Sequence, residues 1–270
     1  MQLEQRRAGA GEPLVLIHGI GSCWQVWTPV LDTLESHHDV LAIDLPGYGR
    51  SPPADGEPTV PALVDAVERA MDQAGLGTAH LAGNSMGGWI AAELAARGRA
   101  RTVVALSPAG LWTPGEWRYS RAILRATHAV APLVSPAAGL LARAAVGRRL
   151  MFWHVCARPD RIHPASAAYQ ARAYASSPSF LRTLAWIGDG PRMPQGLDRI
   201  DCPFRVAWGT RDLLLPFRQA RRWERLVPTA ELARLEGLGH VPMSDDPELT
   251  ARTILALSSS RGREAVGATA

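Results

Sequence analysis

The 270-residue chain contains no lysine, and all 29 of its basic residues are arginine. They are spread along the chain rather than gathered in one stripe. The net charge of +4 and the pI of about 9.4 therefore read as compositional bias, and no nucleic-acid partner is expected. Cysteine is scarce. Cys23, Cys156 and Cys202 are odd in number and widely spaced, which excludes a zinc cluster by spacing and suits a reducing cytoplasm. Small buried hydrophobes are the simplest role for them. No apolar run reaches the length that spans a bilayer, and residues 1–7 are polar, so neither a membrane partner nor a signal peptide is expected. Internal repeats are absent. His128, His154 and His163 have no carboxylate cluster beside them and read as surface or packing residues, not metal ligands.

With 47% hydrophobic content, the composition is that of one large α/β domain with room for an insertion. A short strand is expected within residues 2–8, followed by the continuous apolar run Leu14-Val15-Leu16-Ile17. Such a run suits a strand buried on both faces. Helix 24–34, strand 40–43, a turn-rich loop at 44–51 and helix 60–73 come next; Thr59 is the expected N-cap of the last and Gly75 its stop. Strand 78–82, a helix through Trp89–Ala96 and strand 102–106 complete an alternation that argues a parallel sheet with helices on both faces. From about Trp112 to Gly196 strand-like runs give way to helical stretches such as 120–134 and 165–174, interrupted by prolines. Sheet character returns at 204–208 and 230–235, with helix 218–225 between them. Asp245 is expected to cap a last helix, with Glu248 three residues on as in a capping box. The stretch 259–270 has no burial pattern and is expected to be mobile.

Gly83-Asn84-Ser85-Met86-Gly87 fits G-x-S-x-G between a strand and a helix. A strand that turns at once into a helix forces its middle residue into a strained backbone with φ above zero. The flanking glycines let strand and helix approach. Ser85 Oγ would stand at a helix N-terminus, where N–H groups and the dipole favour a developing oxyanion. Taken alone, the pentapeptide is equally consistent with a turn whose serine caps the helix. Asp212, after strand 204–208, and His240, in a Gly- and Pro-bounded loop after 230–235, stand at comparable strand ends. Their chain order with Ser85 is that of a Ser-Asp-His hydrolase triad. His18-Gly19-Ile20-Gly21 follows a buried strand, and the N–H groups of Ile20 and Met86 are the expected oxyanion donors. His18 itself reads as structural.

These pieces, with Asp44-Leu45-Pro46-Gly47-Tyr48-Gly49-Arg50-Ser51 and Gly209-Thr210-Arg211-Asp212, make the chain resemble the capped branch of the α/β-hydrolase superfamily. That branch includes carboxylesterases, lactonases, meta-cleavage C–C hydrolases, epoxide hydrolases and cofactor-free haloperoxidases. The resemblance implies a doubly wound, mostly parallel sheet, with a core at 1–111 and 197–258 and a helical cap at 112–196; the family's first strand is short or missing here. It implies an acyl-enzyme mechanism with Ser85 as nucleophile, His240 as base and Asp212 as its orienter, without metal or organic cofactor. A serine at residue 85 departs from the aspartate that the resemblance implies for epoxide hydrolases and haloalkane dehalogenases.

Ester or lactone hydrolysis is the first expectation and C–C bond hydrolysis the second. Asn84 before the nucleophile resembles the C–C enzymes, but Val241-Pro242 replaces the tryptophan they carry after the histidine. No cap arginine among Arg118, Arg121, Arg125, Arg172 and Arg182 is singled out as a carboxylate anchor. A ligand-binding protein, a cyclase and an acyltransferase are further readings of the same fold. The partner is expected to be a small molecule with a hydrophobic group. Asn84, Gly19, Trp112, Trp153 and Trp186 are the candidate pocket residues. The oligomeric state is not legible.

Overall fold

A computed structural model describes residues 2–188 and 192–259. Seven strands form one sheet in the order β1-β3-β2-β4-β5-β6-β7. They are β1 (Gln5–Ala8), β2 (Glu12–Ile17), β3 (His38–Ile43), β4 (Ala79–Asn84), β5 (Ala100–Leu106), β6 (Phe204–Gly209) and β7 (Ala230–Leu235). β1 pairs antiparallel with β3 at one edge, and every other pairing is parallel. The short first strand is therefore present, as a four-residue edge. The tail expected to be mobile lies outside the described residues, Ser259 excepted.

The sheet is buried on both faces because successive side chains of each strand feed opposite cores. Leu14 and Leu16 join one apolar cluster with Val30, Leu34 and Ile254, whereas Val15 and Ile17 join another with Val64, Met71 and Ile90. Helices α1 (Thr28–Glu35) and α2 (Val60–Gln73) cover opposite faces. α2 begins where Thr59 Oγ1 accepts the Ala62 N–H at 3.2 Å. α3 (Met86–Ala96) is buried on every side along Met86–Ala95, held between the sheet and its neighbours.

Between β5 and β6 the chain is helical: α4 (Pro114–Val134), α5 (Ala138–Leu141), α6 (Ala145–Phe152), α7 (Pro164–Ala175) and α8 (Phe180–Gly188). α4 starts in a full capping box of Thr113 and Glu116. The Glu116 carboxylate also receives Arg218 at 2.6 Å and Arg222 at 2.8 Å, which fastens the root of the insertion to α9 (Ala220–Leu226) and the turn before it. Burial opposes ionisation of Glu116, yet Arg222, the Thr113 N–H and Arg218 outweigh it and hold the carboxyl down at about 2.

After β7 come α10 (Pro242–Asp245) and α11 (Pro247–Ser258). Here the capping expectation is corrected by one residue. Asp246 accepts the Leu249 N–H at 2.9 Å and caps α11, with Pro247 at the first helical position. Asp245 is fully buried elsewhere. One of its carboxylate oxygens accepts N–H groups from Gly239 at 2.7 Å and Ala157 at 2.9 Å, and the other accepts from Arg158 at 2.7 Å. Among the described residues no helix is long and apolar enough to cross a membrane.

Candidate active site

The four polar segments singled out in the sequence meet at the carboxyl ends of β2, β4, β6 and β7. In an open α/β sheet, that is where the strand ends leave a crevice. Ser85 sits between β4 and α3 with φ 57° and ψ −119°, a conformation that L residues rarely adopt. Its own backbone holds it there. The N–H donates to Leu106 O at 2.9 Å, and its carbonyl accepts from Gly88 at 3.0 Å and Ala109 at 3.0 Å. The glycines make the turn sterically possible. A Cβ on Gly83 would lie 2.2 Å from Gly87 O, and one on Gly87 would lie 2.1 Å from Ile17 O.

Asp212 and His240 come from the two loops beyond β6 and β7. His240 Nδ1–H donates to Asp212 Oδ2 at 2.7 Å, and both side chains are buried. The other oxygen of Asp212 accepts the Leu214 and Leu215 N–H groups at 2.9 and 2.7 Å, so the carboxylate is held at both oxygens. With Nδ1 engaged as donor, Nε2 is left as the basic nitrogen of the neutral ring. Ser85 and His240 open on the same cavity; among the described residues no hydrogen bond joins the serine hydroxyl to the imidazole. Asn84 spans the two. Its amide donates to Leu106 O at 3.1 Å and to His240 O at 2.8 Å, tying the histidine loop to the strand that carries Ser85.

Gly19 and Ile20 also line the cavity, and a Cβ added to Gly19 would sit 3.6 Å from Ser85 Oγ. The loop after β2 thus abuts the serine. His18 secures that loop: Nδ1–H donates to Gly19 O at 2.7 Å, and Nε2 accepts the Leu45 N–H at 3.0 Å. Burial keeps His18 below the usual imidazole range. Met86 is the first residue of α3, one residue beyond Ser85.

The cavity measures about 490 Å³ and is roofed by α4, α6 and α7. Its wall is apolar, with Val130, Val134, Leu150, Phe152 and Leu214 among its members. None of the described residues lining it is Arg, Asp or Glu. Asn84, Gly19 and Trp153 lie on this wall. Trp112 and Trp186 do not, which corrects the expectation for both. Trp112 stacks on Trp117 at 4.8 Å and meets Trp89 edge-on. Trp186 carries the Arg192 guanidinium over its ring at 4.4 Å. Both pack against the core away from the cavity, Trp112 from the loop before α4 and Trp186 from α8.

His154, expected at the surface or in packing, stands instead on the cavity wall. It is nearly fully buried, and its Nδ1 has no hydrogen-bond partner. Burial, reinforced by the nearby His240, lowers it to about 4, so it is neutral at ordinary pH. Cys156 also lines the wall. Burial, with the Asp245 charge adding to it, raises its thiol well above the ordinary value, which leaves it a poor nucleophile.

Fold and strand-end cluster together define a hydrolase of the doubly wound α/β class. The model of the Alpha/beta hydrolase family matches residues 14–253, and the chain belongs to that family. Epoxide hydrolase EphH of Mycobacterium tuberculosis is 34% identical over 191 residues, covering 68% of this chain and 88% of that protein. A crystal structure of a membrane phospholipase A, described as a bacterial virulence factor, superposes with a TM-score of 0.75 at 26% identity. It covers 95% of this chain and 84% of its own. An esterase from Exiguobacterium antarcticum has a TM-score of 0.78 at 18% identity, covers 96% of both chains, and speaks for the fold alone.

Proposed function

We propose that the protein is a serine hydrolase of neutral carboxylic esters or lactones that carry a bulky apolar group. The observation that carries this reading is the Asp212–His240 hydrogen bond opening, together with Ser85, on one apolar cavity free of charged side chains. In the proposed cycle, small movements bring Ser85 Oγ within reach of His240 Nε2, as the Michaelis complexes of such sites commonly require. His240 takes the Ser85 proton as Oγ attacks the carbonyl, and Asp212 holds the imidazolium. The N–H groups of Ile20 and Met86 receive the oxyanion; each such donor contributes about 3–4 kcal/mol in comparable sites. The protonated imidazole then hands its proton to the leaving alcohol, and water assisted by the same ring releases the acid. Asn84 keeps the histidine loop in register, and helices 112–196 act as the cap that excludes bulk water.

The uncharged wall also favours ester over C–C substrates. A meta-cleavage dienoate would bring a carboxylate into a cavity with no cation to meet it, and a buried unpaired charge costs several kcal/mol. The hydroxyl at Ser85 favours acyl transfer over the carboxylate-nucleophile chemistry that the resemblance implies for epoxide opening.

A fluorophosphonate probe, followed by a panel of p-nitrophenyl esters, lactones and a ring-fission dienone, tests the reading. Labelling is expected at Ser85 and lost in Ser85→Ala, whose kcat on the best ester falls by about 10⁴-fold or more. Failure to label, or more than about a tenth of the activity left in Ser85→Ala, removes the serine mechanism. Fast turnover of the dienone with weak ester activity replaces the ester reading by the C–C one.

A further inference from the structure

On α4, α5 and α6, apolar side chains stand on the water-facing side as well as the inner one. On α4, the outward positions Ala122, Ala126, Ala129, Val130 and Leu133 are all exposed. On α6, Val146, Leu150 and the following Trp153 stand one turn apart on the exposed side, while Gly147 and Phe152 face inward. Leu140 of α5 lies between them in sequence. These large side chains are between 49% and 80% exposed, and the stretch 130–153 holds more than half of all the exposed large hydrophobics among the described residues. Isolated exposed apolar residues are ordinary; a concentration on one insertion marks a surface that meets something apolar.

The face has a location and a charge. Val130, Leu150 and Trp153 are exposed and also line the cavity, so the apolar band rims the mouth that leads to Ser85. Between Glu116 and Asp160 the chain carries seven arginines and no acidic residue. Arg125 shares the outward side of α4, Arg143 lies just before α6, and Arg149 shares its outward side. Arg149 reaches Asp160 at 3.2 Å, whereas Arg125 and Arg143 make no ion pair among the described residues. An apolar band edged by unpaired guanidinium groups is the pattern of an interfacial surface, with side chains in the acyl boundary and cations at the headgroups. A second copy of this chain is a poorer occupant. A two-fold contact would set the face against itself and bring Arg125 and Arg143, which have no carboxylate partner among the described residues, up to arginines of like sign.

We propose that the rim formed by α4, α5 and α6 docks on a lipid surface bearing anionic headgroups, so that ester substrates with long apolar chains enter the cavity from the lipid side. This rests on the ester-hydrolase reading for its chemistry but not for the docking itself. It replaces the expectation, drawn from the absence of a spanning segment, that no membrane is involved.

The test is co-sedimentation of the whole protein with vesicles of phosphatidylcholine alone and of phosphatidylcholine mixed equally with phosphatidylglycerol. Binding is expected on the mixed vesicles, at least about tenfold weaker on phosphatidylcholine alone, and weakened by salt. The triple change Leu133→Ser, Leu140→Ser and Val146→Ser touches no residue of the cavity wall. It is expected to lower vesicle binding by about tenfold or more while leaving hydrolysis of a soluble short-chain ester unchanged. Arg125→Glu with Arg143→Glu should do the same on the mixed vesicles. No binding to either vesicle overturns the proposal, as does binding that both variants retain. A concentration-dependent dimer in light scattering that the triple variant abolishes, with vesicles ignored, assigns the face to a second copy instead. Vesicle binding without fluorophosphonate labelling at Ser85 leaves the docking surface standing and removes the ester reading; labelling and soluble-ester turnover without vesicle binding do the reverse.

Discussion

Replacing Asp245 by asparagine removes one negative charge from a point where three backbone donors converge. The carboxylate is fully buried. One oxygen serves Gly239 and Ala157, and the other serves Arg158. An asparagine keeps a single acceptor oxygen. If it faces Gly239 and Ala157, its amide N–H₂ meets the Arg158 N–H donor to donor; the opposite flip loses two bonds instead of one. A charge-assisted bond of this kind contributes about 1.5–3 kcal/mol, and a buried donor left without a partner costs a similar amount. Asp245→Asn is therefore expected to destabilise the protein by about 3 kcal/mol and Asp245→Ala by about 5 kcal/mol. For a chain of this size the asparagine variant should melt about 6–10 °C lower by calorimetry. Gly239 immediately precedes His240, so the loosened loop also displaces the imidazole. A shift near 1 Å can cost about 10²-fold, and the loss should fall on kcat with KM little changed. A variant melting within about 1 °C of wild type, with kcat within about twofold, would show that the three contacts hold nothing in place.

Glu116→Gln severs the contact between the root of the insertion and Arg218 and Arg222, with an expected loss of about 3 kcal/mol in urea unfolding at neutral pH. The folded carboxyl lies near 2, below its ordinary 4.5. Its contribution is complete above about pH 4.5 and fades as the pH falls toward 2, so the two proteins should converge there. A gap that stays constant across that window refutes the ionic origin. His154 acts in the same direction at higher pH: its folded pKa, near 4, lies below the ordinary 6.5, so the unfolded chain takes up the proton first. Wild type should lose stability relative to His154→Leu as pH drops from about 6.5 to 4, by up to about 3 kcal/mol, read as a fall in wild-type Tm relative to the variant's.

The core was legible because its signals are local. Thr59 and the turn residues after Gln73 delimit α2, and the two-sided apolar run of Leu14–Ile17 announces a parallel strand. The elbow was legible for the same reason, since glycine spacing around Ser85 reports a backbone collision that the structure displays as Gly83 against Gly87. Asp212 and His240 lie 28 residues apart and are joined by topology, but each stands just after a strand, so their order sufficed. Asp245 failed on a local ambiguity. Two aspartates precede Pro247, and the proline at the first helical position selects Asp246 as the cap, whereas the spacing to Glu248 drew the assignment one residue early. The insertion was legible only as helices. Helical periodicity tells which face is apolar, not whether that face covers core, cavity or an outer surface. This is why Trp186 was expected at the pocket, His154 was read as a surface or packing residue, and the outward leucines went unread, while Trp112, in the loop before α4, was placed at the pocket only because it falls within the insertion.

The Val241 N–H donates to Val155 O at 2.9 Å, beside the bonds from Ala157 and Arg158 to Asp245. The segment behind the cavity is thus stitched to the very loop that carries His240. Lifting it would drag the imidazole off its carboxylate. Residues 155–158 and the His240 loop therefore move as one body, and a substitution in either is felt by the other.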